Sequence, residues 1–494
     1  MKYRTTGCAA LLAMLGTMFV AMPASAAAAT PAVRLSGELV QVADQPEAEL
    51  SAIQLPGGVL VPIKAESFKG IASGSTITVD VAVPEEVQVA AAANRTLTTQ
   101  GVDGKEIAVP LRSSDLVAAS DGSPESLTSA IGKATVAQAM APGTPALEVS
   151  KVVAAAVDSV STYSHATRQV YVAVVTPLGA TPAPADPGRI DTQVRGASSY
   201  WSDVTSGGVT LNLAKIAGPY VSAYDCSDYL GMWNEAKLRV GFPYNVPLPP
   251  DTSVVIELPK SSASSCGYGL GTVGESPNDS GSAYVADDVW PVLAHELGHN
   301  MSLQHADALR CPTAADSAYS TTSSDWTGTN CKEDGYGDGQ DVMSASRTGF
   351  APFLSAPQSL RTGFSPPEAA TVINAVGTRN VTLLPLAGGT GVRAAEVVNP
   401  TTGVTYYVEY RTAAGRDLLN VYDGVKTGVR VLRYNPETGT TVLLDPSPTV
   451  QPRDLDPTLP PARHSSPTTA ASGSPRCPRT ASTPWYRSPS ARRR

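Results

Sequence analysis

The fold class this 494-residue sequence predicts is α/β (α+β): a layered central region flanked by N- and C-terminal β-rich regions. Between about residues 166 and 365, apolar runs of strand length alternate with helix-period segments, the pattern of a sheet covered by helices. Residues 27–165 and 366–450 show short period-two runs punctuated by Gly, Ser and Pro, the pattern of β structure. Composition agrees with a soluble globular chain with ample core, at 42% hydrophobic and 16% charged residues. The formal net charge of −8 argues against nucleic acid as a partner.

Taken in order, residues 1–26 have the form of a secretory signal peptide. Lys2 and Arg4 supply the charged start, Ala9 to Ala21 the apolar run, and Ala24-Ser25-Ala26 the small-residue cleavage site. That run is too short to span a bilayer, and no later segment has 18 consecutive apolar residues. The mature chain is therefore expected to be secreted, with no stable membrane insertion. Strands are expected at 33–42, 58–63 and 76–83, followed by an Ala-rich helical stretch that breaks near Pro142-Gly143. The 27–165 region is open to two readings, a pro-segment that blocks a downstream cleft or a permanent accessory β domain.

The central region opens with Gln169–Val175, a nearly continuous apolar run suited to a strand buried on both faces. A helix is expected over Arg189–Val204, a strand at 209–213, a helix at 230–240 and a strand at 253–258. Cys226, Cys266, Cys311 and Cys331 form an even set. Of the three connectivities, the two local loops 226–266 and 311–331 are favoured; zinc-binding thiols are the alternative, but no C-x2-C clip is present. Strands are expected again at 381–384, 405–411 and 428–434. Residues 451–494 form a Pro/Ser/Arg-rich tail; from Pro461 on it lacks Asp, Glu and Lys, and it carries the odd Cys477. It is either a basic disordered tail or the product of a reading-frame shift.

The chain has five histidines, and three of them fall in His295-Glu296-Leu297-Gly298-His299-Asn300-Met301-Ser302-Leu303-Gln304-His305. On a helix, His295 and His299 stand at i and i+4 and project from one face. Two nitrogens so placed suit one Zn²⁺ at about 2.0–2.1 Å each. His305 would be about 240° further round a continuing helix. It joins the other two only if the helix stops near Ser302 and the chain turns back. The spacing thus predicts a helix, a sharp reversal and three imidazoles on one metal, with Glu296 placed to reach a water at the open position.

These residues resemble the metzincin zinc endopeptidases, whose pattern is H-E-x-x-H-x-x-G-x-x-H followed by a methionine turn. The wording HELGHNMSLQH is most similar to the reprolysin- and gametolysin-like branches. The resemblance covers roughly 166–365 and implies a zinc metalloprotease catalytic domain, with a twisted mixed sheet and an active-site helix. It implies that His295, His299 and His305 are ligands of one catalytic zinc and Glu296 the general base. Met343 takes the place of the methionine whose turn underlies the metal, and protein or peptide substrates follow. Ser302 stands where the family has glycine, and the left-handed turn there costs a non-glycine residue about 1–2 kcal/mol. The resemblance also places the sheet's edge strand, exposed above the cleft, at the Gly-rich run Cys266–Gly274, where glycines would let a substrate approach closely; a plain surface loop is the alternative. Ala345, two residues beyond Met343, leaves no tyrosine fifth ligand of the astacin type. Asp334, Asp338 and Asp341 are candidate Ca²⁺ ligands, although acidic loop residues are also commonly just solvated. No cysteine lies between residues 9 and 225, which excludes inhibition by a thiolate on the metal from that segment. Two other functions stay open: a zinc-stabilised adhesion or binding protein with weakened catalysis, and a zinc hydrolase directed at cell walls.

Overall fold

A computed structural model describes residues 30–43, 50–64, 68, 71–120, 124–156, 166–182, 184–286, 289–344, 350–388, 390–419, 427–448 and 459. The expected signal peptide, nearly all of the 451–494 tail and Ala345 lie outside the described residues. The chain is mixed α/β, with two large mixed sheets and few helices.

In the N-terminal region, β1 (Ala32–Val42), β2 (Leu50–Gln54), β3 (Leu60–Lys64), β4 (Thr76–Ala82) and β5 (Val149–Ala156) pair antiparallel. The Ala-rich stretch forms a helix over Ala130–Ala139, with Ser129 capping its first turn through Gly132 N–H.

The central region supplies β6 (Ala166–Thr176), α1 (Pro187–Val204), β7 (Val209–Val221), α2 (Tyr229–Val240), β8 (Thr252–Glu257), β9 (Gly269–Val273), β10 (Gly281–Val285) and α3 (Trp290–Asn300). The two longer helices expected from periodicity are present, and aspartates cap both: Asp186 accepts from Arg189 N–H and Asp228 from Gly231 N–H. Strand order is β7-β6-β8-β10-β9, with β9 alone antiparallel to its neighbour. Both faces of the inner strands β6, β8 and β10 are largely buried, as the continuous apolar run in β6 requires. Val170, Val172, Val174, Val255, Ala283 and Val285 face α1 and α3. Ala173, Val175, Val254, Ile256 and Tyr284 face α2 and the N-terminal core residues Leu39, Ile53 and Ile63.

The N-terminal region is bonded into this sheet. β1 pairs with β9, Gln41 opposite Val273 and Val42 opposite Thr272. Asn234 on α2 donates to Leu60 O at 3.2 Å, and Tyr224 OH to Met140 O at 3.2 Å. Lys237 Nζ, whose amine burial lowers to about 8, reaches Gly58 O at 3.3 Å.

A second sheet begins well before residue 366. It contains β11 (Ala306–Arg310), β12 (Lys332–Asp334), β13 (Ala370–Ile373), β14 (Ala394–Val398), β15 (Thr405–Arg411), β16 (Gly428–Tyr434) and β17 (Thr441–Leu444), in the order β12-β11-β17-β16-β15-β14-β13. Hydrogen bonding therefore crosses both boundaries at which periodicity changes, 165/166 and 365/366. The strands expected at 405–411 and 428–434 form, but 381–384 is irregular chain. Leu384 N–H bonds to the nearby Val392 O and its side chain is exposed, so this run adds no strand to the sheet. Both favoured disulfides are formed, Cys226–Cys266 with Cα atoms 4.9 Å apart and Cys311–Cys331 at 4.1 Å, which indicates an oxidising environment. Among the described residues, no helix is long and apolar enough to cross a membrane.

Candidate metal centre

Helix α3 is buried from Pro291 to Asn300 because it lies between the sheet and α1. Two glycines make that approach possible. A Cβ on Gly196 of α1 would sit 2.5 Å from the Trp290 ring, and one on Gly298 would sit 2.5 Å from Met343 Sδ. The helix ends at Asn300, and Ser302 takes the left-handed conformation at φ 69°. Leu303 N–H bonds to Gly298 O at 3.0 Å and Ser302 N–H to His299 O at 2.9 Å, the paired bonds of a Schellman stop. The expected reversal is made by serine, with Arg361 donating to Ser302 O at 2.6 Å.

The reversal brings His295, His299 and His305 together, with their ligand atoms within 4.8 Å of one another. His305 lies 5.6 Å from His295 and 4.9 Å from His299 between ring centroids. His295 Nδ1 lies 2.7 Å from Val342 O, and His299 Nδ1 lies 2.8 Å from Leu303 O. A carbonyl only accepts, so both Nδ1 atoms carry the proton and both Nε2 atoms present lone pairs. Those two Nε2 atoms face each other at 3.1 Å. Two lone pairs at that distance repel unless a cation lies between them, and tetrahedral zinc ligands stand about 3.3 Å apart. The donor set fits a metal ion, and among the described residues it is the group of three His, Cys, Asp or Glu side chains that does.

Glu296 is buried on the sheet side of the helix. A Cβ on Gly269 would overlap its carboxylate, and one on Gly271 would lie 3.2 Å from Oε2. The glycines of β9, expected to admit a ligand, therefore make room for Glu296 itself. Nor is β9 a free edge. Beyond its pairs with β1, Ala43 N–H donates to Gly271 O at 2.9 Å, and Ser73 Oγ to Val273 O at 2.5 Å.

Met343 is buried beneath Gly298, and its carbonyl accepts from Ala306 N–H at 2.9 Å, beside His305. The three aspartates proposed for calcium are not gathered into one site. Asp338 is ion-paired with Arg430, which also donates to Gln340 Oε1 at 2.7 Å. Asp341 accepts from Met343 N–H and Ser355 N–H at 2.8 and 2.7 Å, and burial with Asp338's charge pushes its carboxyl up to about 6. Asp334 is on the surface, 3.5 Å from Arg310. Asp338 and Asp341 thus hold the methionine loop through protein partners.

No protein-family model matches this chain, and no curated protein matches it.

Two contributors carry no signal in the sequence. Arg430, fully buried in β16, anchors the loop that presents Val342 O to His295. It also lies 3.5 Å from Glu409. Burial alone would raise the Glu409 carboxyl, but Arg411 and Arg430 outweigh it and hold the group below its usual range. Tyr336 is the second, its ring centroid 4.4 Å from that of His305 and 6.1 Å from that of His295.

Proposed function

We propose that this chain is a secreted zinc-dependent endopeptidase of the metzincin kind. The single observation that carries the reading is the convergence of His295 Nε2 and His299 Nε2 at 3.1 Å with His305 closing the set. Glu296 beside it, Met343 beneath it and the two disulfides agree with the metzincin resemblance and with export.

Zinc held by the three imidazoles supplies a Lewis acid that polarises a carbonyl and lowers the pKa of water towards about 7. The remaining chemistry belongs to the chain. Val342 O and Leu303 O fix the tautomer of the two helix histidines, so the metal-facing nitrogens need no reorganisation. Glu296, set by Gly269 and Gly271 against the sheet, takes the proton of the attacking water and passes it to the leaving amine.

The test is digestion of an unfolded protein with and without a chelator, followed by zinc add-back. Cleavage should stop with the chelator and return with zinc. Glu296→Gln should keep stoichiometric zinc and lose turnover by about a hundredfold or more. A zinc-loaded wild-type protein that cleaves no unfolded protein would overturn the reading, and full turnover in the variant would overturn the assigned base.

A further inference from the structure

Tyr336 holds a strained place beside the histidine cluster. Its backbone is left-handed, φ 58°, in a residue type that pays about 1–2 kcal/mol for that conformation. Such strain persists only where the surroundings over-determine it. Here they do so at both ends of the residue: Tyr336 N–H donates to Asp307 Oδ1 at 2.8 Å, and Tyr336 O accepts from Ser344 Oγ at 2.6 Å. Asp307 follows His305 by two residues and Ser344 follows Met343 by one, so the clamp ties Tyr336 to the third ligand and to the methionine turn. The next residue is glycine because a Cβ there would press on Asp334 O at 2.6 Å and the Ala308 side chain at 2.9 Å. The half-buried ring held this way stands beside His305 and His295. Glu296 approaches from the β9 side, Tyr336 from the loop that follows β12.

We infer that the Tyr336 phenol is a catalytic hydrogen-bond donor to the oxyanion formed when the scissile carbonyl is attacked; this rests on the endopeptidase reading. A neutral O–H at that place can stabilise developing negative charge while Glu296 handles the proton. In the step, water oxygen bonds to the carbonyl carbon, its proton goes to Glu296, and the carbonyl π pair moves onto the oxygen, which accepts from Tyr336. On collapse the C–N bond breaks and the Glu296 proton goes to the amine. Tyr336 keeps its proton throughout.

The experiment compares wild type, Tyr336→Phe and Tyr336→Asn, all zinc-loaded, in binding a small set of phosphinic pseudopeptides with varied side chains. Asparagine tolerates the left-handed backbone, so a variant that loses only the phenol is available even if phenylalanine strains the loop. Calorimetry gives the affinity of the tetrahedral anion and of the matching uncleaved peptide, the latter on a Glu296→Gln background. Removing the donor should weaken the phosphinates about ten- to a hundredfold and leave the ground-state peptide unchanged. In turnover, kcat should fall about a hundredfold or more with KM and zinc content unchanged. Phosphinate affinity equal to wild type in either variant overturns the proposal while leaving the peptidase reading standing. Loss of zinc from both variants also overturns it, since Tyr336 is then structural. If the wild type cleaves nothing and binds none of the phosphinates, the peptidase reading fails first, and the role of Tyr336 with it.

Discussion

The two β regions meet the histidine cluster in different ways. The N-terminal region arrives sideways: β1 extends the central sheet past β9, and its last bond is Ala43 N–H to Gly271 O. None of the three histidines hangs from it. The C-terminal region arrives from beneath: Thr441 N–H bonds to His305 O at 3.0 Å, β17 runs parallel to β11, and Arg430 holds the methionine loop. The first contact governs access to a strand beside Glu296. The second contact supports His305 and the loop that carries the Val342 carbonyl.

Breaking the lower contact should have the largest effect. Arg430→Met leaves Asp338 buried without its cation, a kind of loss that costs about 3–5 kcal/mol. Denaturant unfolding should show that loss, and zinc retained after dialysis should fall with it. A variant as stable and as zinc-rich as wild type would remove the basis for calling this region part of the site. The upper contact should behave otherwise. Ala43→Pro deletes the N–H that bonds Gly271 O, and one lost hydrogen bond is worth a factor of about two to ten. Turnover of long unfolded substrates should rise by that factor with zinc content unchanged. Unchanged turnover would make β1 a structural strand only. The smallest effect is expected at the reversal between the two regions. Ser302→Gly relieves the left-handed strain and should add about 1 kcal/mol of stability without altering turnover, as measured by thermal melting.

What the sequence made legible was local. The i, i+4 histidines, the reversal at Ser302 and the loop-closing disulfides are all set within short spans, and each forms. Helix α1 begins two residues before its expected start, because Asp186 caps it and Pro187 suits the first turn. Pairings distant in the chain were not legible. No periodicity in 33–42 announces β9 as a partner, and none in 306–310 announces β17. Arg430 sits in an alternating strand like any exposed arginine, yet it is wholly buried. That the glycines at 269 and 271 make room for the Glu296 carboxylate was not legible either, because space for a ligand and space for a neighbouring side chain look the same in one dimension.

The bond from Thr441 to His305 spans 136 residues of chain. During synthesis the helix that bears the first two imidazoles is complete long before the strand that steadies the third leaves the ribosome. A chain wired this way stays unfinished while it is still attached to the machinery making it, and a copy truncated before β17 lacks the strand that bonds to His305.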